Sequence, residues 1–173
     1  QIGGNMNLYA YGNDENKKWI IIDTGVSFAD DSVPGIDLIY PDPGFIIDKK
    51  EDLLGIVLTH AHEDHIGAIS HIWPDLKCKI YATPFTAVLI TEKFKEKKID
   101  ISSYLKIVQL NGKIKLGPFD IEFITLTHSI LEPNGLCIKT PSGKVLHTGD
   151  WKIDPNPLIG DKINEKKLKE LGQ

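Results

Sequence analysis

Residues Thr59 to Gly67 read THAHEDHIG, and three histidines and an aspartate fall between His60 and His65. The stretch follows Leu53 to Thr59, a continuous apolar run typical of a strand buried on both faces. It precedes helical spacing, with Ile66, Ile69, Ile72 and Trp73 on one side. A buried strand therefore delivers its C-terminal end to His60, and a turn and a helix follow. Residues two apart in an extended segment point the same way, so His60 and His62 can converge on one cation. The turn then swings Asp64 and His65 toward a second. Imidazole nitrogens and carboxylates are the usual ligands of zinc and related cations. A lone loop histidine is more often a packing or surface residue, but four donors at this spacing behind a buried strand favour metal. Glu63, between them, reads as a solvent-facing spacer.

Working outward toward the N-terminus, Asn7 to Tyr11 and Lys18 to Asp23 read as a hairpin broken at Gly12-Asn13-Asp14. A Pro/Gly/Asp-rich passage, Ser32 to Gly44, holds the short apolar run Ile36 to Tyr40. On the other side the helix from Asp64 is expected to stop at Pro74, and a strand is expected at Lys79 to Ala82. Thr83-Pro84 opens a helix running to Lys97, with Phe85, Val88, Leu89 and Phe94 facing inward and Glu92 to Lys98 a solvated end. Strands follow at Leu105 to Leu110, Lys113 to Leu116, Phe119 to Thr127, Leu136 to Thr140 and Lys144 to Thr148. Gly112, Gly117-Pro118 and Ser142-Gly143 supply turns. The pattern is α/β with much antiparallel pairing, not a Rossmann alternation.

With 173 residues, 41% hydrophobic and 25% charged, the chain can build one domain with a core; a disordered tail, a collagen-like fibre and a disulfide-stapled miniprotein are excluded. The net charge of -4 argues against broad electrostatic grip on a polyanion, so any nucleic-acid contact is local or comes from another domain. No apolar run approaches the roughly 20 residues of a membrane span, and no signal peptide is expected. Cys78 and Cys137 lack metal-site spacing and read as buried, reduced thiols, which predicts a cytoplasmic protein. Every basic residue is lysine, a bias that carries no binding inference. The chain opens on Gln1 and closes on a lysine-rich helical pattern, Glu165 to Leu171, with little after it to pack against; it reads as a piece of something longer.

The HxHxDH run followed by glycine resembles the signature of the metallo-β-lactamase superfamily. That resemblance implies an α/β fold, the four-layer αββα sandwich, of which this chain is the N-terminal portion. It also implies a third histidine completing the first metal site and a later aspartate bridging both metals; the matching positions are His128 and Asp150. Alone, His128 could equally be structural and Asp150 a turn former. Asp23, in IDTG, matches the carboxylate that orients the histidine loop without binding metal. His71 and His147 match no ligand position, and Trp151 is expected beneath the metal loop. The implied metal set is His60, His62, Asp64, His65, His128 and Asp150, with Asp64 also the catalytic carboxylate that holds the nucleophile.

Within the superfamily the chain resembles the ribonuclease J family of the β-CASP nuclease branch along essentially its whole length. GGNMNLYAYG from Gly3, PGIDLIYPD from Pro34, THSILEPNGLCI from Thr127 and HTGDWKIDPNPLIG from His147 carry it. Glyoxalase-like and lactonase-like relatives share the histidine loop but surround the third histidine with another kind of turn. Leu131 departs from the proline expected there and bears on substrate fit. The resemblance implies two divalent metal ions, zinc ahead of manganese, activating water for in-line attack on RNA phosphorus in 5'-to-3' exonuclease and endonuclease reactions. Residues 1–173 would be the N-terminal portion of a metallo-β-lactamase domain, without the β-CASP insertion and the remainder of the domain. The second metal is then one ligand short and the fragment alone inactive. RNA is the implied partner of the full-length protein, a homo-oligomer with no membrane association. The alternatives are a hydrolase of small thioesters or lactones, and a metal-free scaffold; the latter would have lost ligands that are kept here.

Overall fold

Leu53 begins the central strand of a five-stranded sheet in the computed structural model, which describes residues 4–172. Gly3, which opens the GGNMNLYAYG stretch, lies outside the described residues. The strands β1 (Asn7–Tyr11) and β2 (Lys18–Ile22) form the expected hairpin, Asn7 opposite Ile22 and Tyr11 opposite Lys18. A small ribbon of β3 (Ser27–Phe28) and β4 (Leu38–Ile39) follows, then the short helix α1 (Gly44–Ile47). β5 (Leu53–Val57) runs parallel to β2; β6 (Ile80–Ala82) and β7 (Leu105–Ile107) extend the sheet in parallel, in the order β1-β2-β5-β6-β7. Parallel neighbours require crossovers, supplied by α2 (Glu63–Ile66) and α3 (Ile69–Leu76) after β5, and by α4 (Pro84–Glu96) after β6.

The isoleucines of β2 show how one strand serves two cores. Ile21 faces the helices with Ile56, Ile66, Ile69, Trp73, Ile90 and Phe94. Ile20 and Ile22 face the other way, onto a second, antiparallel sheet built from β8 (Lys113–Leu116), β9 (Phe119–Thr125), β10 (Asn134–Thr140) and β11 (Gly143–His147). There they meet Phe119, Ile121, Phe123, Leu136 and Ile138. The far side of that sheet, at Ile124, Leu126 and Cys137, is covered by Ile163 and by Leu168 and Leu171 of α5 (Glu165–Leu171). The layers run helix, sheet, sheet, helix.

Four sequence expectations need correction. The helix expected from Asp64 to Pro74 is divided into α2 and α3, and α3 passes through Pro74 to Leu76. Proline removes one helical hydrogen bond, but Ile72, Trp73 and Leu76 are buried around it and Trp73 Nε1 donates to the Cys78 carbonyl at 2.8 Å. The stop comes at Lys77, in the left-handed region at φ 47°. Val88 of α4 is 61% exposed, because Ala87, Ile90 and Phe94 form the buried face. α5 does have a packing partner in the second sheet. Cys78 is only half-buried, whereas Cys137 is buried; both are free thiols, and burial pushes the Cys78 thiol up to about 12.

Candidate metal centre

The ends of β5, β9 and β11 meet at one edge of the two sheets. β5 leads into His60 and His62, and α2 carries Asp64 and His65. His128 follows β9 and Asp150 follows β11. Three nitrogens converge: His62 Nδ1 lies 3.1 Å from both His60 Nε2 and His128 Nε2. A second group, His60, His65 and Asp150, lies beside it with all donor atoms within 4.8 Å of one another. Asp150 Oδ2 is 3.5 Å from His65 Nε2 and 3.8 Å from His128 Nε2, between the two groups. Asp64 Oδ2 is 3.6 Å from His65 Nε2, at the margin of the second group. All six residues read as ligands from the sequence are thus brought to one place.

Imidazole nitrogens and a carboxylate gathered this closely form a donor set that a divalent ion takes. Burial, reinforced by the neighbouring imidazoles of His65, His62 and His128, pushes the His60 pKa down to about 2. A neutral imidazole with an available lone pair is the ligating form. Burial also lowers His128. At His65 burial acts in the same direction, but the hydrogen bond and charge of Asp23, with the charges of Asp64 and Asp150, outweigh it and raise the pKa.

The orientation of the rings is fixed from behind. Asp23 is fully buried at φ 63°; its Oδ2 accepts from His65 Nδ1 at 2.7 Å, and its two oxygens accept from the Thr59 amide and hydroxyl at 2.8 Å each. The Thr59 hydroxyl, 3.0 Å from His60 Nδ1, is left to accept from it. With both Nδ1 atoms occupied as donors, the Nε2 atoms of His60 and His65 carry the lone pairs that could bind a cation. The following backbone closes on α2: Thr24 N donates to the His65 carbonyl at 2.7 Å and Val26 N to that of Glu63 at 3.0 Å. A Cβ on Gly25 would sit 1.6 Å from the Asp64 carbonyl oxygen, so only glycine admits this approach.

Several residues were given no role by the sequence. Thr59 stands immediately before the histidines and could have been read as their orienting hydroxyl. Asn5 Nδ2 lies 3.0 Å from the Asp64 carbonyl and 3.2 Å from His65 Nε2. Asn134 donates from both its backbone and side-chain nitrogens to the Thr59 carbonyl, tying β10 to the histidine loop. Glu63 is more than a spacer: Lys93 of α4 reaches both its carboxylate oxygens, at 2.6 and 2.8 Å. Trp151 is 48% exposed and lies beside Leu146 and Leu168 rather than beneath the metal loop. His71 stacks on Tyr40, and His147 Nδ1 is 3.0 Å from the Tyr9 hydroxyl.

A two-sheet sandwich with this donor set at its edge defines a class: the chain belongs to the metallo-β-lactamase superfamily, whose model matches residues 3–162. It shares the fold of a motif mutant of the metallo-β-lactamase from Cronobacter sakazakii, with TM-score 0.59 and 19% identity over 99% of this chain and 67% of that one. More particularly, it is 40% identical over 173 residues to ribonuclease J of Sinorhizobium meliloti, covering all of this chain and 31% of that protein. With ribonuclease J of Helicobacter pylori the identity is 41% over 174 residues, covering all of this chain and 25% of the relative. The chain therefore spans less than a third of the length of these relatives. Among the described residues no helix is long and apolar enough to cross a membrane.

Proposed function

We propose that this chain is the metal-holding part of a ribonuclease J-like, metal-dependent phosphodiesterase that hydrolyses RNA in the cytoplasm, both from the 5' end and internally. The observation that carries the reading is similarity to ribonuclease J along the whole chain; the convergence of His60, His62, His65, His128 and Asp150 supports the metal chemistry. The longer protein would add the β-CASP insertion, the rest of the metallo-β-lactamase domain and a homo-oligomeric interface. The fragment alone is expected to be inactive.

Two divalent ions, zinc ahead of manganese, would supply charge that makes water a better nucleophile and offsets charge on the phosphate. His60, His62 and His128 would hold one, and Asp64, His65 and Asp150 the other, with Asp150 shared. Asp23 and Thr59 keep the His60 and His65 rings in the ligating tautomer. The Asp64 side chain is 26% exposed; it can accept a hydrogen bond from the attacking water and orient it toward phosphorus. A local concentration of cationic charge also reconciles a chain of net charge -4 with a polyanionic substrate.

The test uses the full-length protein and 5'-monophosphorylated, labelled RNA. Wild type is expected to release mononucleotides or cleaved RNA. Asp64→Ala is expected to lower the rate by about 10²–10⁴-fold, the usual worth of a group handling the nucleophile's proton, and a chelator should abolish cleavage. Intact RNA under every metal condition would overturn the reading and turn attention to thioesters and lactones.

A further inference from the structure

His128 sits on the loop between β9 and β10, which depends on distant contacts for its place. Thr127 and Lys152 exchange hydrogen bonds at one end, and Asn134 holds Thr59 at the other. Between them Glu132 takes up a left-handed conformation, φ 53°, and sends its side chain across to α4, where Oε2 accepts from the Phe85 amide at 2.8 Å. A helix N-terminus presents amides without partners and favours a negative charge. Thr83, the residue placed to cap α4, makes no side-chain cap hydrogen bond; its hydroxyl lies 3.4 Å from that of Thr86. Pro84 has no amide to satisfy. The capping task is left to a carboxylate brought from the third-histidine loop. Further along the same helix Lys93 grips Glu63, between His62 and Asp64. α4 is thus tied by side chains to both loops that supply the three-histidine group.

We propose that Glu132 is a positioning residue for the His60, His62 and His128 site: by capping α4 it fixes the loop that brings His128 Nε2 to His62 Nδ1. The inference rests on the proposed metal centre but not on the identity of the substrate. The left-handed backbone at Glu132 aims the carboxylate at the helix, where its oxygen accepts from the Phe85 amide.

The test is a Co²⁺ titration of the full-length, metal-stripped protein, followed by visible d–d absorption, with apo thermal unfolding measured alongside. Glu132→Ala is expected to weaken the first Co²⁺ equivalent by about 10- to 100-fold, as loss of a ligand-orienting partner does, and to alter the spectrum at saturation. Glu132→Gln, which keeps an oxygen acceptor for the Phe85 amide, is expected to restore most of both. An unchanged isotherm and spectrum in Glu132→Ala would overturn the proposal, as would a lowered Tm with a wild-type saturated spectrum or a glutamine variant no better than alanine. Failure of the wild type to bind Co²⁺ would sink the metal centre itself, whereas failure to cleave RNA leaves this titration intact.

Discussion

At the scale of single residues, one buried carboxylate organises the donor set. Asp23 holds His65 directly and His60 through Thr59, from a backbone conformation that asparagine also tolerates. Asp23→Asn should therefore keep the turn while replacing one acceptor oxygen with a donor, leaving either Thr59 or His65 mispaired. Divalent-cation affinity is expected to fall by about 10- to 100-fold, read by calorimetric titration, with a smaller change in apo Tm. The four candidate donors of the first loop were legible because HxHxDH compresses them into six positions, and a local pattern survives without the fold, whereas His128 and Asp150 were read only through the family resemblance. Thr59, Asn5, Asn134 and Glu132 were not legible: each acts on a residue far away in the chain, and threonine, asparagine and glutamate in loops have many ordinary uses.

At the scale of elements, α5 is the piece whose attachment can be followed by pH. Leu168 and Leu171 cover Ile124, Leu126 and Cys137, and Lys167 Nζ lies 2.8 Å from Glu122 Oε1 on β9. Burial would raise the Glu122 carboxyl, but the Lys167 hydrogen bond and the charges of Lys167, Lys113 and Lys139 outweigh it and lower its pKa. A pKa below the unfolded value means stabilisation that is present above about pH 4.5 and is lost as pH falls through the folded value. α5 is expected to loosen from the sheet in that acidic window, with a change in the emission of Trp151, which lies beside Leu168. Lys167→Met, which removes the main group holding the Glu122 pKa down, should abolish most of this pH dependence. Strands and turns were largely readable from apolar runs between glycines. Val88 and Pro74 misled because helical periodicity alone does not say how wide the buried face is, nor whether packing will hold a proline inside the helix.

At the scale of the whole molecule, the site joins two sheets: His60, His62 and His65 follow the first, His128 and Asp150 the second. Burial patterns alone do not order layers, so the sandwich was readable only through family resemblance, whereas the faces of Ile20, Ile21 and Ile22 record it in the structure. A cation bridging the sheets should stabilise the folded state as a linked equilibrium. At a free concentration of 100 times Kd the gain is about 2.7 kcal/mol, expected as a higher urea midpoint that a chelator reverses; an unchanged midpoint in a protein shown to bind the ion would contradict the bridging geometry. The spacing of donors along the chain also sets a timetable during synthesis. His62 and His128 are 66 residues apart, so a ribosome exposes the first loop well before the donors that complete either group. An ion met early would find only the donors of the first loop, and either complete group forms only when the second sheet docks.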